Sequence, residues 1–118
     1  MDSKSIVESW FHQWQIGDYL NLPIADHFEH TSPFGTIVSK QAYLQLVENN
    51  LEKFLGYEFE VHDAIYEQHK ACVRYTAKQD DDFQLDVSEW YFIENGLIKE
   101  IYSYYHIGEI REDRKLSD

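Results

Sequence analysis

His30 and Ser32 stand two positions apart, and they are the first residues along the chain whose types and spacing could do chemistry. On an extended strand, residues two apart project to one face, and a histidine with an ordinary pKa of about 6.5 can give or take a proton near neutrality. His30 is therefore the candidate acid/base. Its other reading is a histidine that hydrogen-bonds a backbone carbonyl or Tyr43 and shapes a cavity. Asp86 shares strand parity with Ser88 and offers either a carboxylate at a pocket mouth or a solvated strand end. His106 closes the run Tyr104-Tyr105-His106, and only a bulge would turn it to the same side as Tyr105. His27-x-x-His30 has no third or fourth ligand at a marked spacing, so no metal is expected. Cys72 has no basic partner to make it a nucleophile. Neither a phosphate-binding glycine loop nor a dinucleotide fingerprint occurs, and no organic cofactor is expected.

These residues need elements to position them. Before Gly56 the apolar spacing is helical and after it the period drops to two. Ser3 is expected to cap a first helix carrying Ile6, Val7, Trp10, Phe11 and Trp14 and ending at Gly17. Asp18 is expected to cap a short second helix that Pro23 interrupts. A short strand over Phe28 to His30 leads to a turn at Ser32-Pro33-Phe34-Gly35, and Ser39 opens a third helix that closes at Gly56. Four strands follow, over Tyr57 to Gln68, Ala71 to Gln79, Phe83 to Glu94 and Leu97 to His106. Asn95-Gly96 is the strongest turn among them, because both central residues of a type I′ turn need positive φ.

A two-residue turn at Asn95-Gly96 places Trp90 opposite Ile101, and a two-residue turn at Asp81-Asp82 places Arg74 opposite Glu89. This register assigns Tyr75, Ser88, Trp90, Ile101, Ser103 and Tyr105 to one face. With Trp10, Trp14, Ser32 and Tyr43 they form the expected pocket, aromatic walls with a few polar tips, as small-molecule sites usually are. The opposite face carries Val87, Tyr91, Tyr102 and Tyr104. Three helices can cover only one face, so this second one is expected to be sealed by a homodimer.

The whole chain, residues 1–118, reads as one domain with its core over about 3–108 and a polar tail over 109–118. Three Trp, nine Tyr and seven Phe supply far more core material than a disordered acidic chain has. Acidic residues outnumber basic ones by 22 to 10, a net charge of −12 without any basic cluster, which excludes nucleic acid and anionic membranes as partners. A single cysteine allows no internal disulfide, and the first residues lack a basic segment followed by an apolar run; a cytoplasmic location is expected.

Trp14-Gln15-Ile16-Gly17-Asp18, Glu29-His30-Thr31-Ser32-Pro33-Phe34-Gly35, the long third helix and Tyr91-Phe92-Ile93-Glu94-Asn95-Gly96-Leu97-Ile98 occur in an order and spacing that resemble the nuclear transport factor 2-like superfamily. The likeness is to its SnoaL-like and ketosteroid-isomerase-like branch and covers roughly residues 3 to 108. It implies an α+β fold, a cone in which three N-terminal helices pack on a curved, mixed, mostly antiparallel sheet around a pocket. A dimer through the convex side is implied as well. The isomerase pattern departs at its catalytic positions: Ser32 stands where that branch has a general base, and Trp10 and Ser88 match its oxyanion donors by spacing. Where polyketide-cyclase members usually carry an acid, His106 stands. The expected function is a pocket protein that binds a moderately apolar small molecule. The alternative is an isomerase- or cyclase-like enzyme that moves a proton on a carbonyl or ring substrate with His30.

Overall fold

Asp2 starts the first helix. Its side chain accepts from the Ser5 N–H at 2.9 Å, so α1 runs over Ser3–Ile16 with Asp2, rather than Ser3, as its cap. Gly17 ends it at φ 80°. The computed structural model describes residues 2–80 and 83–106, so the expected tail over 109–118 lies outside the described residues. Helical spacing gathers Ser3, Ile6, Val7, Trp10 and Trp14 on the buried side of α1, and the Ser3 hydroxyl donates to the Glu67 carbonyl. Asp18 caps nothing. Its carboxylate instead accepts from the side chains of Gln13 and Asn21, and only a single 3₁₀ turn follows at Tyr19–Asn21.

Beyond Pro23 the chain extends. β1 covers Ile24–Ser32, longer than the expected three residues because Ile24, Ala25 and Phe28 are buried against the helices. A two-residue turn at Pro33 and Phe34 then returns β2, Gly35–Val38, a strand that four residues of weak alternation did not announce. Ser39 caps α2, Lys40–Asn49, which buries Tyr43 and Val47 one turn apart. The single long helix expected here breaks at Asn50, and α3 takes only Leu51–Phe54.

β3 (Glu58–Tyr66), β4 (Lys70–Gln79), β5 (Phe83–Glu94) and β6 (Leu97–Tyr104) complete a six-stranded mixed sheet that is not closed. The order is β2-β1-β6-β5-β4-β3, with β1 and β6 parallel and every other pair antiparallel. The helices cover its concave face. There Trp10, Trp14, Phe28, Tyr43 and Tyr91 pack edge-on or tilted with ring centroids 5.1–6.5 Å apart.

The register of β5 differs from expectation by one place. Gln79 pairs with Phe83, so three residues rather than two separate β4 from β5. The Asn95-Gly96 turn does have two residues, with φ 53° and 77°, but Lys99 forms a bulge after it. Glu94 and Ile93 therefore pair as expected, while Phe92 meets Glu100, Trp90 meets Tyr102 and Glu89 meets Ser103. A one-residue slip turns every side chain to the other face. Val87, Glu89 and Tyr91 thus point inward, 5%, 4% and 0% exposed, and Trp90 points outward, 41% exposed. Arg74 stands opposite Ser88 and pairs its guanidinium with Asp63 instead of Glu89.

Candidate functional site

Glu89 lies at the centre of β5 under the helices, where a carboxylate with no donors would be very costly. It has four. The Tyr75 hydroxyl donates to Oε2 at 3.2 Å, the Tyr91 hydroxyl to Oε1 at 2.5 Å and the Ser103 hydroxyl to Oε2 at 2.5 Å, and the Trp10 indole N–H acts on it from α1. The sheet supplies three of these by construction: Ser103 is the register partner of Glu89, Tyr91 lies two residues along the same strand, and Tyr75 lies diagonally across on β4. Burial drives the carboxyl pKa up while the donors draw it down, and burial wins.

Ser103 also faces His30, whose Nε2 is 3.4 Å from the Ser103 Oγ. The three groups form one chain that can run in two directions. With Glu89 ionised, Ser103 donates to it and can accept only from an Nε2–H. With Glu89 protonated, the carboxyl can donate to Ser103, and the hydroxyl turns its hydrogen to a bare Nε2. Burial lowers the His30 pKa to about 4, so its imidazole is neutral at pH 7. The ring stacks on Tyr43, with centroids 5.1 Å apart and planes 27° apart.

Beside this chain lies a cavity of about 150 Å³, walled by Trp10, Trp14, Tyr43, Phe54, Phe59, Tyr75 and Tyr105 and reached by His30, Glu89 and Ser103. A cavity of about this volume takes a single six-membered ring. Lys53 stands on its rim, and Ala77, Leu85 and Val87 form its apolar side. Tyr43 is 3% exposed, and no described residue hydrogen-bonds its hydroxyl, yet no sealed side-chain polar atom among the described residues lacks a partner. The hydroxyl therefore opens into the cavity. Burial, with the charge of Glu89 next in size, holds its pKa well above the usual 10, so it remains a donor.

Of the residues expected at the pocket, His30, Trp10, Trp14, Tyr43, Tyr75, Ser103 and Tyr105 meet there. Four do not. Ser32 accepts from the Phe34 N–H in the β1–β2 turn, Ile101 is sealed in the core, and Ser88 and Trp90 face the opposite side through the register slip. Asp86 and His106 border a shallow depression of about 860 Å³ with His62, Arg74, Ser88 and Tyr104, which adjoins the cavity and shares Tyr75, Val87 and Tyr105 with it. In this depression the Thr76 hydroxyl donates to Asp86 at 2.6 Å and contacts His62 Nε2 at 2.7 Å. The expected convex set divides likewise: Tyr102 and Tyr104 are on that face, but Val87 and Tyr91 are concave core.

Sequence reasoning missed Glu89 because its parity was tied to the turn lengths. A usable signal was present: Val87, Tyr91 and Ile93 share its parity without an intervening charge, whereas Asp86, Ser88 and Glu94 interrupt the other set. His27 is exposed beside Glu94 at 3.4 Å, and no group of three or more metal-ligating side chains occurs among the described residues. Burial raises the Cys72 pKa, which makes its thiol less reactive. No helix among the described residues is long and apolar enough to cross a membrane.

The family model of the SnoaL-like domain matches residues 7–101. No curated protein matches the chain. Among solved structures, an NTF2-like protein of unknown function from Cytophaga hutchinsonii is 19% identical, with 87% of this chain and 88% of that one covered and a TM-score of 0.73. A protein of unknown function with a cystatin-like fold from Xanthomonas campestris is 16% identical over 89% and 91% of the two chains, with a TM-score of 0.76. An LEH-like epoxide hydrolase of M. tuberculosis is 16% identical over 87% and 81%, with a TM-score of 0.74. At such identities these likenesses concern the fold alone. With the model matching most of its length, the chain belongs to the SnoaL-like domain family.

Proposed function

We propose that this protein binds a compact, moderately apolar small molecule in the concave cavity between α1, α2 and the sheet. The observation that carries this reading is the arrangement of the cavity wall: aromatic on most sides, with the polar groups His30, Ser103, Glu89 and Tyr43 converging on it. A dry core gains nothing from gathering four polar side chains around an opening of about 150 Å³. Toluene is a suitable first probe. Adding it should move the indole N–H resonances of Trp10 and Trp14, which wall the cavity, and leave that of Trp90, on the outer face, in place. Equal shifts at all three indoles, or none at any, would contradict the reading.

Proton transfer is the second reading, and the hydroxyl bridge from His30 through Ser103 to Glu89 favours it specifically. Binding is the better supported of the two. An imidazole held near pKa 4 is a weak base at pH 7, and the acceptor positions of Glu89 are taken by four donors. Exchange of the α-hydrogens of cyclohexanone with deuterated water tests this directly. Catalysed exchange that His30→Gln abolishes would make the protein an enzyme, and exchange at the solvent rate leaves it a binder.

The outer face of the sheet supports an assembly of two copies. Ile65, Cys72, Trp90 and Tyr102 follow one another across four strands, and Ile65 and Trp90 are 69% and 41% exposed. Such a row fits a self-complementary homodimer interface.

A further inference from the structure

Tyr43 and Trp14 line the cavity and carry two hydrogen-bond donors for which the described residues supply no acceptor. Both residues are buried, 3% and 6% exposed, and both line the opening, yet no described residue accepts from the Tyr43 hydroxyl or from the Trp14 indole N–H. They sit close together, with ring centroids 6.5 Å apart and planes at 80°, on α2 and α1. An indole N–H can only donate, and a tyrosine whose pKa is driven well up stays a donor at neutral pH. The Glu89 oxygens of the wall are meanwhile met by protein donors, the hydroxyls of Tyr75, Tyr91 and Ser103. The cavity thus has donors to offer a ligand and little acceptor capacity.

We infer that the ligand is a neutral molecule of about one ring that carries an oxygen acceptor, read by the Tyr43 hydroxyl with the Trp14 N–H beside it. The inference rests on the cavity being a ligand site and adds the chemical class. A neutral acceptor fits better than an anion. Among the described residues the one cationic side chain at the cavity is Lys53, on its exposed rim, His30 is neutral, and an anion would be buried beside the Glu89 carboxyl. A pure hydrocarbon would fill the space but leave both donors dry, at a cost that discriminates strongly in buried sites.

Cyclohexanone, methylcyclohexane and benzoate separate these possibilities, titrated by NMR into the full chain and into Tyr43→Phe. The variant should fold normally, since the lost hydroxyl has no partner among the described residues; retained amide dispersion and an unchanged melting temperature check this. Cyclohexanone should bind the native protein about tenfold or more tighter than methylcyclohexane and move the Trp14 N–H downfield. In Tyr43→Phe that advantage should fall about tenfold, with methylcyclohexane unaffected. Methylcyclohexane binding as well as cyclohexanone, or benzoate binding better than both, would overturn the inference while leaving the pocket intact. If no compound binds, the pocket reading fails along with it.

Discussion

Ser103 and Glu89 face each other across the β5–β6 ladder, and the hydroxyl of one reaches the buried carboxyl of the other at 2.5 Å. This pairing exists because Lys99 bulges out of β6; without the extra residue the same turn would set Tyr102 against Glu89. One irregular residue near a strand start therefore decides which side chains make the inner wall. Bulges that re-aim side chains beside sites are a recurrent device of sheets.

Breaking the pairing should cost stability. Ser103→Ala removes one of the four donors that keep Glu89 tolerable in the core, and we expect a loss of about 1–3 kcal/mol. Glu89→Gln keeps the volume but replaces an acceptor with an amide NH₂ that faces hydroxyl hydrogens, and a loss of similar size is expected. Urea unfolding at pH 7 measures both. Midpoints equal to that of the native protein would mean that the network contributes nothing to folding.

The two titratable ends of the chain act on stability with opposite signs. His30 is depressed from 6.5 to about 4 in the fold, so between those values the unfolded chain binds a proton that the folded one refuses. Stability on this account falls as pH drops from about 6.5 towards 4, by up to about 3 kcal/mol. Glu89 is raised, so above 4.5 the folded chain retains a proton that the unfolded chain has released. Its effect is a decline as pH rises from 4.5 through the raised value. Melting temperatures from pH 4 to 8 should show His30→Gln losing the acid-side fall and Glu89→Gln losing the decline on the other side. Parallel profiles for all three proteins would rule this linkage out.

How much of this could be read from the sequence depended on what each feature rests on. Periodicity and caps gave α1 nearly whole, and residue order gave the family, since spacings of glycine, aromatic and turn residues survive where identity has fallen to 12–19%. Tyr75 and Ser103 share a face because the two one-residue shifts, one at the β4–β5 turn and one at Lys99, cancel across β5, and both line the cavity with His30 and Tyr43. Glu89, Trp90 and Tyr91 were reversed together, because a period of two turns a single miscounted residue into a change of face. No local preference reveals a three-residue separation or a bulge at a lysine. The buried acid, which does most to define the site, was hidden by that slip.

The outward-facing Trp90 and Tyr104 offer a test of assembly that leaves the cavity intact. They are 41% and 60% exposed, and neither packs in the core, so a double change to glutamate should leave the fold undisturbed. Two charges in an apolar interface would oppose association. Light scattering should then give a dimer mass for the native chain and a monomer mass for the variant. A native monomer, or a variant that stays dimeric, would dismiss the convex-face interface.

Trp14 sets the size of the cavity. Its indole stacks on Phe54 at 5.9 Å and meets Trp10 edge-on at 5.6 Å, so it fills the space between α1, α3 and the opening. Trp14→Ala should cost about 3–5 kcal/mol, a large share of the stability of a small domain, because the neighbouring rings can collapse only in part. The space left behind is continuous with the existing cavity. Naphthalene, with two fused rings, should therefore stabilise Trp14→Ala against heat and leave the native melting temperature unchanged, since a ligand raises stability only where it binds the folded state. Equal stabilisation of both proteins would show that some other residue limits the cavity.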